Sequence, residues 1–221
     1  MEIIAHLHND FPTKFGLPRQ SGLVDTLESV IVFTPEYRVP EALRGLEDFS
    51  HLWLLWQFHQ AQRETWSPTV RPPRLGGNAR IGVFATRSPF RPNPIGLTCV
   101  KLEKIVRDSR LGHVLYVTGA DMVDGTPILD IKPYIPYADC RPDASGSFAD
   151  VHAEDRLQVD FPTALLSRVP EDRRATLLSA LAQDPRLAYQ HDPDRVYGLP
   201  YAGLDVKFRI EGDTLIVTDV Q

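Results

Sequence analysis

The sequence predicts a mainly β protein that ends in a small α+β region. Three observations carry this. The 221-residue chain holds 19 prolines. Each fixes φ and removes a backbone donor, which favours loops and short strands over a helical bundle. Up to about residue 140 the apolar residues fall in short runs closed by Gly, Pro, Asp and Asn turns, the pattern of strands. Helical spacing is confined to the stretch beyond residue 160.

Taken in order, residues 3–8 (IIAHLH) read as the first strand, with Ile4 facing inward, and residues 9–22 as a loop. Residues 30–34 read as a strand. Residues 40–46 (PEALRGL) read as a short helix, with Pro40 in its first turn and Gly45 at its end. Residues 49–60 (FSHLWLLWQFHQ) carry too many bulky apolar side chains for a half-exposed strand and predict one buried on both faces. The run IGVFA at 81–85 predicts another buried strand. Residues 95–105 and 111–120 predict two strands joined by a turn at Asp108-Ser109-Arg110. Asp124-Gly125-Thr126-Pro127 is a strong turn signal, followed by a short strand at 128–132. The polar, turn-rich stretch 141–149 predicts a linker dividing the chain into units 1–140 and 141–221. Residues 162–169 and 171–183 have helical spacing, the second closed by Asp184-Pro185. Residues 206–210 and 215–220 predict a hairpin around Glu211-Gly212-Asp213.

Charge narrows the function. With 24 Lys+Arg against 29 Asp+Glu the net charge is −5, which argues against broad, sequence-blind nucleic-acid binding. Yet no Asp or Glu lies between Glu64 and Glu103, and Arg71, Arg74, Arg80, Arg87, Arg91 and Lys101 fall in that gap. Pro72, Pro73, Pro89, Pro92 and Pro94 stiffen the same stretch. It is either a solvated surface loop or a preorganised wall for an anion or nucleotide. Its attachment to the apolar run 81–85 favours the wall. The longest apolar run, residues 52–56, is too short to span a bilayer, and the N-terminus lacks signal-peptide features. Cys99 and Cys140 lack metal-ligand spacing and read as reduced, buried thiols. These features predict a cytoplasmic protein with no metal and no membrane contact. Gly76-Gly77 is followed by no helix, so the strand–Gly-turn–helix cradle for a dinucleotide-like cofactor is excluded.

RPPRLGGNARIGVFATRSPFRPNPIGL, preceded by GLEDFSHLWLLWQFHQ and followed by DMVDGTPILDIKPYIPYAD, resembles the TrmO/TsaA-like family. The likeness is dense from Ile3 to Asp139 and thinner beyond. It implies a closed single-sheet antiparallel β-barrel with a small C-terminal α+β domain. It also implies a homodimer that uses S-adenosyl-L-methionine to methylate N6 of N6-threonylcarbamoyladenosine at position 37 of tRNA, gripping the anticodon stem-loop.

On that resemblance the cofactor-binding residues include Pro18, Arg19, Gln20, His59 and Gln60 and the turn of Asp124, Gly125 and Thr126; the chemistry that such a cofactor needs adds Arg87, Asp121 and backbone groups around Leu97 for the adenine edge. From chemistry alone, carboxylates such as Asp121 or Asp124 suit a ribose or an ammonium, and Arg87 suits a carboxylate; the DGTP turn read alone is a plain hairpin turn. The target nitrogen is a poor nucleophile, so a general base is expected, with His59, Asp130 and Tyr134 as candidates. Histidine is favoured because imidazole titrates nearest neutral pH, while Asp130 and Tyr134 serve equally well as braces of the barrel. Arg71, Arg74 and Arg91 suit tRNA phosphates, with Arg186 and Tyr189 as further tRNA contacts; Leu187 replaces a proline usual in that segment. Phe90 and Trp66 are either core aromatics or platforms for an exposed base. Two alternatives stay open: a non-catalytic RNA-binding β-barrel, and a methyltransferase acting on a different substrate.

Overall fold

The computed structural model describes residues 1–61, 65–72, 79–151, 155–186, 192 and 195–221. Six strands close one antiparallel barrel: β1 (Ala5–His8), β2 (Glu28–Phe33), β3 (His51–Gln57), β6 (Ile95–Asp108), β7 (Gly112–Thr118) and β8 (Thr126–Pro133), in the order β1-β2-β7-β6-β3-β8. Between β3 and β6, β4 (Thr69–Val70) and β5 (Ile81–Gly82) form a two-stranded flap. After the barrel come α1 (Pro136–Asp139) and α2 (Phe148–Val151). A sheet of order β10-β11-β12-β9 follows, built from β9 (Gln158–Asp160), β10 (Tyr197–Tyr201), β11 (Leu204–Glu211) and β12 (Thr214–Val220). It carries α3 (Thr163–Leu166) and α4 (Glu171–Ala182).

Alternation explains the barrel wall. Along β3, Leu52, Leu54 and Trp56 point inward and are almost fully buried, while His51, Trp53, Leu55 and Gln57 are half-exposed on the outer face. The stretch expected to be buried on both faces is thus buried on one. Its bulky outward residues lie beside Leu97 and Asp130, which pair with Leu55. On β1 the inward residues are Ala5 and Leu7, and Ile4 only flanks the core. Residues 40–46 give a 3-10 turn at Pro40–Leu43 rather than a helix. The run 81–85 is not a buried strand: after two strand residues it becomes a 3-10 turn at Val83–Ala85, in which only Val83 is buried. Cys99 is half-buried and Cys140 exposed, both as free thiols.

The pairing registers place three connections at one mouth. Neighbouring strands run antiparallel around the whole barrel, so the ends of β1, β3 and β7 and the starts of β2, β6 and β8 lie together. The connections leaving and entering these strand ends, 9–27, the described residues between β3 and β6 that adjoin them, and 119–125, therefore meet at one rim.

The first of these connections is clamped from behind. Phe11, Val24 and Leu27 belong to a second core with Leu177, Leu181, Leu199, Tyr201 and Phe208 of the C-terminal sheet and helix. Arg173 Nε pairs with Asp10 Oδ2 at 3.0 Å, and the Thr176 hydroxyl donates to the Thr26 carbonyl at 2.8 Å. A loop held on both sides is a rigid support for side chains at the mouth.

Candidate active site

The rim is built around a half-buried carboxylate, Asp121. Trp56 Nε1 donates to Thr98 Oγ1 at 2.8 Å, and the Thr98 hydroxyl donates to Asp121 Oδ1 at 2.6 Å. Burial pushes the Asp121 carboxyl above its ordinary value. The Thr98 hydroxyl, its own N–H, the Arg87 guanidinium and the Ser21 N–H oppose that shift. Arg87 Nη1 donates to Gln20 Oε1 at 2.6 Å. Gly22 N–H donates to the Gly119 carbonyl at 3.0 Å, fastening the first connection to the third. Gln20, Arg87 and Asp121, which lie far apart in sequence, thus form one cluster.

Beside it stands the Asp124 turn. Gly125 sits at φ +75°, a conformation that side-chain-bearing residues rarely adopt. Asp124 N–H donates to the Phe11 carbonyl and Gly125 N–H to the Leu7 carbonyl, both at 2.8 Å. Asp124 Oδ1 meets His8 Nδ1 at 3.0 Å and accepts from Asn9 N–H at 3.2 Å. Among the described residues nothing donates to its second oxygen. Thr126 is buried, and its hydroxyl donates to the Val123 carbonyl at 2.7 Å. Its side chain therefore closes the turn.

The arginine stretch is locally braced. Thr86 Oγ1 donates to the Val83 carbonyl at 2.8 Å and accepts from Ser88 N–H at 3.2 Å. Arg91 Nη1 donates to the Thr86 carbonyl at 3.2 Å. His59 and Gln60 follow β3 at the same mouth, where Phe58 N–H donates to the Pro94 carbonyl at 2.9 Å. A cleft of 230 Å³ leads from Gly22, Gly119 and Thr118 along the outer wall to Cys99, Lys101, Glu103 and His51.

The chain that carries this cluster matches a known family over most of its length. Residues 6–140 match the tRNA-methyltransferase O N-terminal domain, and residues 154–221 match the TrmO C-terminal domain. The chain belongs to the tRNA-methyltransferase O family. The tRNA (adenine(37)-N6)-methyltransferase of Escherichia coli strain K12 is 43% identical over 219 residues, covering 95% of this chain and 92% of that protein. The enzyme of the same name from Eikenella corrodens is 46% identical over 173 residues, 78% of this chain and 97% of that protein. The crystal structure of TrmO from Pseudomonas aeruginosa superposes with a TM-score of 0.77 at 34% identity, covering 99% of this chain and 96% of that one.

Within this tRNA-methyltransferase O framework several expected residues sit elsewhere. Tyr134 lies at the opposite end of the barrel, its N–H on the His51 carbonyl at 2.9 Å. The length of β3, roughly 20 Å, separates it from His59. Burial and the adjacent Cys140 also push its phenol up, away from service as a base. Asp130 is on the outer wall and pairs with Lys132 Nζ at 2.7 Å. Leu97 is on that wall too, 51% exposed. Pro18 is buried, and Arg19 Nη2 donates to the carbonyls of Asp184 and Arg186 at 2.5 and 3.1 Å, so its guanidinium ties the rim to the C-terminal region.

Arg186 is not an open phosphate ligand. Its Nε and Nη2 grip both oxygens of Asp184 at 2.9 Å, and its side chain is 15% exposed. Arg71 is exposed and Arg91 half-buried; Arg74 and Tyr189 lie outside the described residues. Sequence reasoning missed Thr98 and Trp56. Both look like ordinary strand residues, and only the register of β3 on β6 brings them under Asp121.

Asp121 gives a pH test. Its folded-state value lies above its ordinary 3.8, so the folded chain holds this proton more tightly than the unfolded one. The stability it contributes is complete below 3.8 and is lost as pH rises through the raised value. In urea denaturation, Asp121→Asn should therefore gain stability relative to wild type as pH rises above 3.8 through the raised value. A pH-independent difference would contradict the raised value.

Proposed function

We propose that this chain is an S-adenosylmethionine-dependent tRNA methyltransferase that methylates N6 of N6-threonylcarbamoyladenosine at position 37. The observation that carries the reading is the meeting of Gln20, Arg87 and Asp121 from three connections at one barrel mouth, with Asp124 on the same connection as Asp121. One guanidinium, one amide and the Asp124 carboxylate match a ligand bearing both a carboxylate and an ammonium, with Asp121 behind them. S-adenosylmethionine would supply an electrophilic methyl on its sulfonium. Arg87 and Gln20 would hold the carboxylate, the planar fork favouring that geometry. The unpaired oxygen of Asp124 would accept from an ammonium or a ribose hydroxyl. Asp121 bonds to Thr98 and to the Ser21 N–H, so its part is to hold the Ser21 backbone beside Gln20 and to present a negative charge towards Arg87.

Methyl transfer is an in-line displacement, and the enzyme's main task is to hold nucleophile and methyl aligned. His59 is the residue assigned to take the proton from the target nitrogen. It stands at the mouth, whereas Tyr134 does not and Asp130 is paired with Lys132. His59→Ala should slow single-turnover methylation by roughly 10²- to 10⁴-fold without loss of tRNA binding. An unchanged single-turnover rate would remove His59 from this role. The reading includes a homodimer, supported by the outward apolar row of Leu55 and Leu97 on the barrel wall.

The test is nucleoside mass spectrometry of tRNA after incubation with protein and S-adenosylmethionine. A gain of one methylene mass on threonylcarbamoyladenosine supports the reading. Calorimetric binding of the cofactor with no such gain points to another substrate, and no cofactor binding leaves only an RNA-binding barrel.

A further inference from the structure

Trp66 and Phe84 are an exposed aromatic pair that the site described above does not use. Trp66 is 49% exposed and Phe84 72%, and their rings stack with centroids 6.1 Å apart and planes 23° from parallel. Large apolar side chains brought together at the surface mark a place where something else is covered or bound. The flap holds them there. Thr69 pairs with Gly82 and Val70 with Ile81, so the residues flanking the two short strands come side by side. Val83 N–H donates to the Pro68 carbonyl at 3.0 Å and the Val83 side chain is buried. Ser67 N–H donates to the Phe90 carbonyl at 3.4 Å, and the Ser67 hydroxyl to the Thr69 carbonyl at 2.6 Å. Val83 anchors the 3-10 turn, and its neighbour Phe84 is thereby turned outward.

The surroundings say what the pair meets. Both rings belong to the interval between Glu64 and Glu103, which contains no acidic residue, and Arg71, Arg80, Arg87 and Arg91 share it. Exposed π-faces carried on an arginine-rich segment are the combination that binds single-stranded nucleic acid. A second copy of the same patch is a poor occupant, because a symmetric contact would oppose like charges. We propose that Trp66 and Phe84 form a stacking platform for an unpaired base next to the nucleotide that enters the barrel mouth. This rests on the tRNA reading above and names the residues that hold the loop open for it.

The test compares Trp66→Ala and Phe84→Ala with Trp66→Phe and Phe84→Tyr in steady-state methylation of tRNA. Each alanine variant should raise the KM for tRNA about 10-fold or more. The aromatic replacements should restore most of the loss. Cofactor affinity by calorimetry and the unfolding temperature should stay at wild-type values. An anticodon-loop oligonucleotide should also quench tryptophan fluorescence in wild type and quench it less in Trp66→Phe. Alanine variants that methylate tRNA with wild-type KM overturn the proposal. So do alanine variants whose oligomeric state by light scattering differs from wild type, since the patch would then be a contact between copies. Wild-type protein that neither binds nor methylates tRNA overturns this proposal together with the function on which it rests.

Discussion

Arg87→Ala is expected to weaken S-adenosylmethionine binding by about 10- to 150-fold, the worth of a lost charge-assisted hydrogen bond. Two effects act together. The guanidinium donates to Gln20 at 2.6 Å, so its loss frees the amide that completes the carboxylate grip. It is also a positive charge opposing the burial shift of Asp121. Without it the Asp121 carboxyl rises further, and the variant's remaining cofactor binding should recover towards higher pH as that group ionises. Arg87→Lys keeps the charge and loses the fork, so it should fall between wild type and alanine. Arg87 is exposed, and the unfolding temperature should barely move. Calorimetric titration at two pH values checks each part. An affinity within twofold of wild type would remove Arg87 from the site.

How much of this was legible in the sequence depends on whether the signal was local. The Asp124-Gly125 turn, the Asp108 hairpin, the Asp184-Pro185 stop and the 211–213 hairpin each rest on turn chemistry within a few residues, and each formed where that chemistry placed it. β10 did not show itself, because Gly198 and Pro200 break the strand signal that its pairing with β11 overrides. β9 is three residues long and stands only because it pairs with β12. Barrel closure came from the family resemblance, not from the alternation of any strand.

Two misreadings are informative about function. Residues 81–85 look like a core strand because they are apolar, yet Phe84 faces solvent. A local pattern that contradicts its burial is what a binding surface produces. Arg186 is expected to contact tRNA because its segment resembles that of the family. Its partner two residues earlier, Asp184, had already claimed it. Residue type was readable in both cases; the partner was not.

Gly96→Ala should be strongly destabilising for the addition of a single methyl group. Gly96 lies opposite Trp56 across β6 and β3, and both face the barrel interior. A Cβ there would stand 2.1 Å from Trp56 Cε2 and 2.4 Å from Cζ2. The indole is buried and cannot step aside within a packed wall, so it must leave its rotamer or the strands must part. A cost of about 3 kcal/mol, the upper range for overpacking, corresponds to roughly 6–12 °C in unfolding temperature for a chain of this size. The effect should not stop at stability. Trp56 Nε1 holds Thr98, Thr98 holds Asp121, and Asp121 helps fix Ser21 beside Gln20, so displacing the ring loosens the cofactor grip from below. The double variant Gly96→Ala with Trp56→Phe separates the two consequences. The smaller ring makes room for the methyl and should recover part of the stability. It lacks the indole N–H, so cofactor affinity should remain low. A double variant that regained both would mean that Trp56 serves the site only as a filler of space.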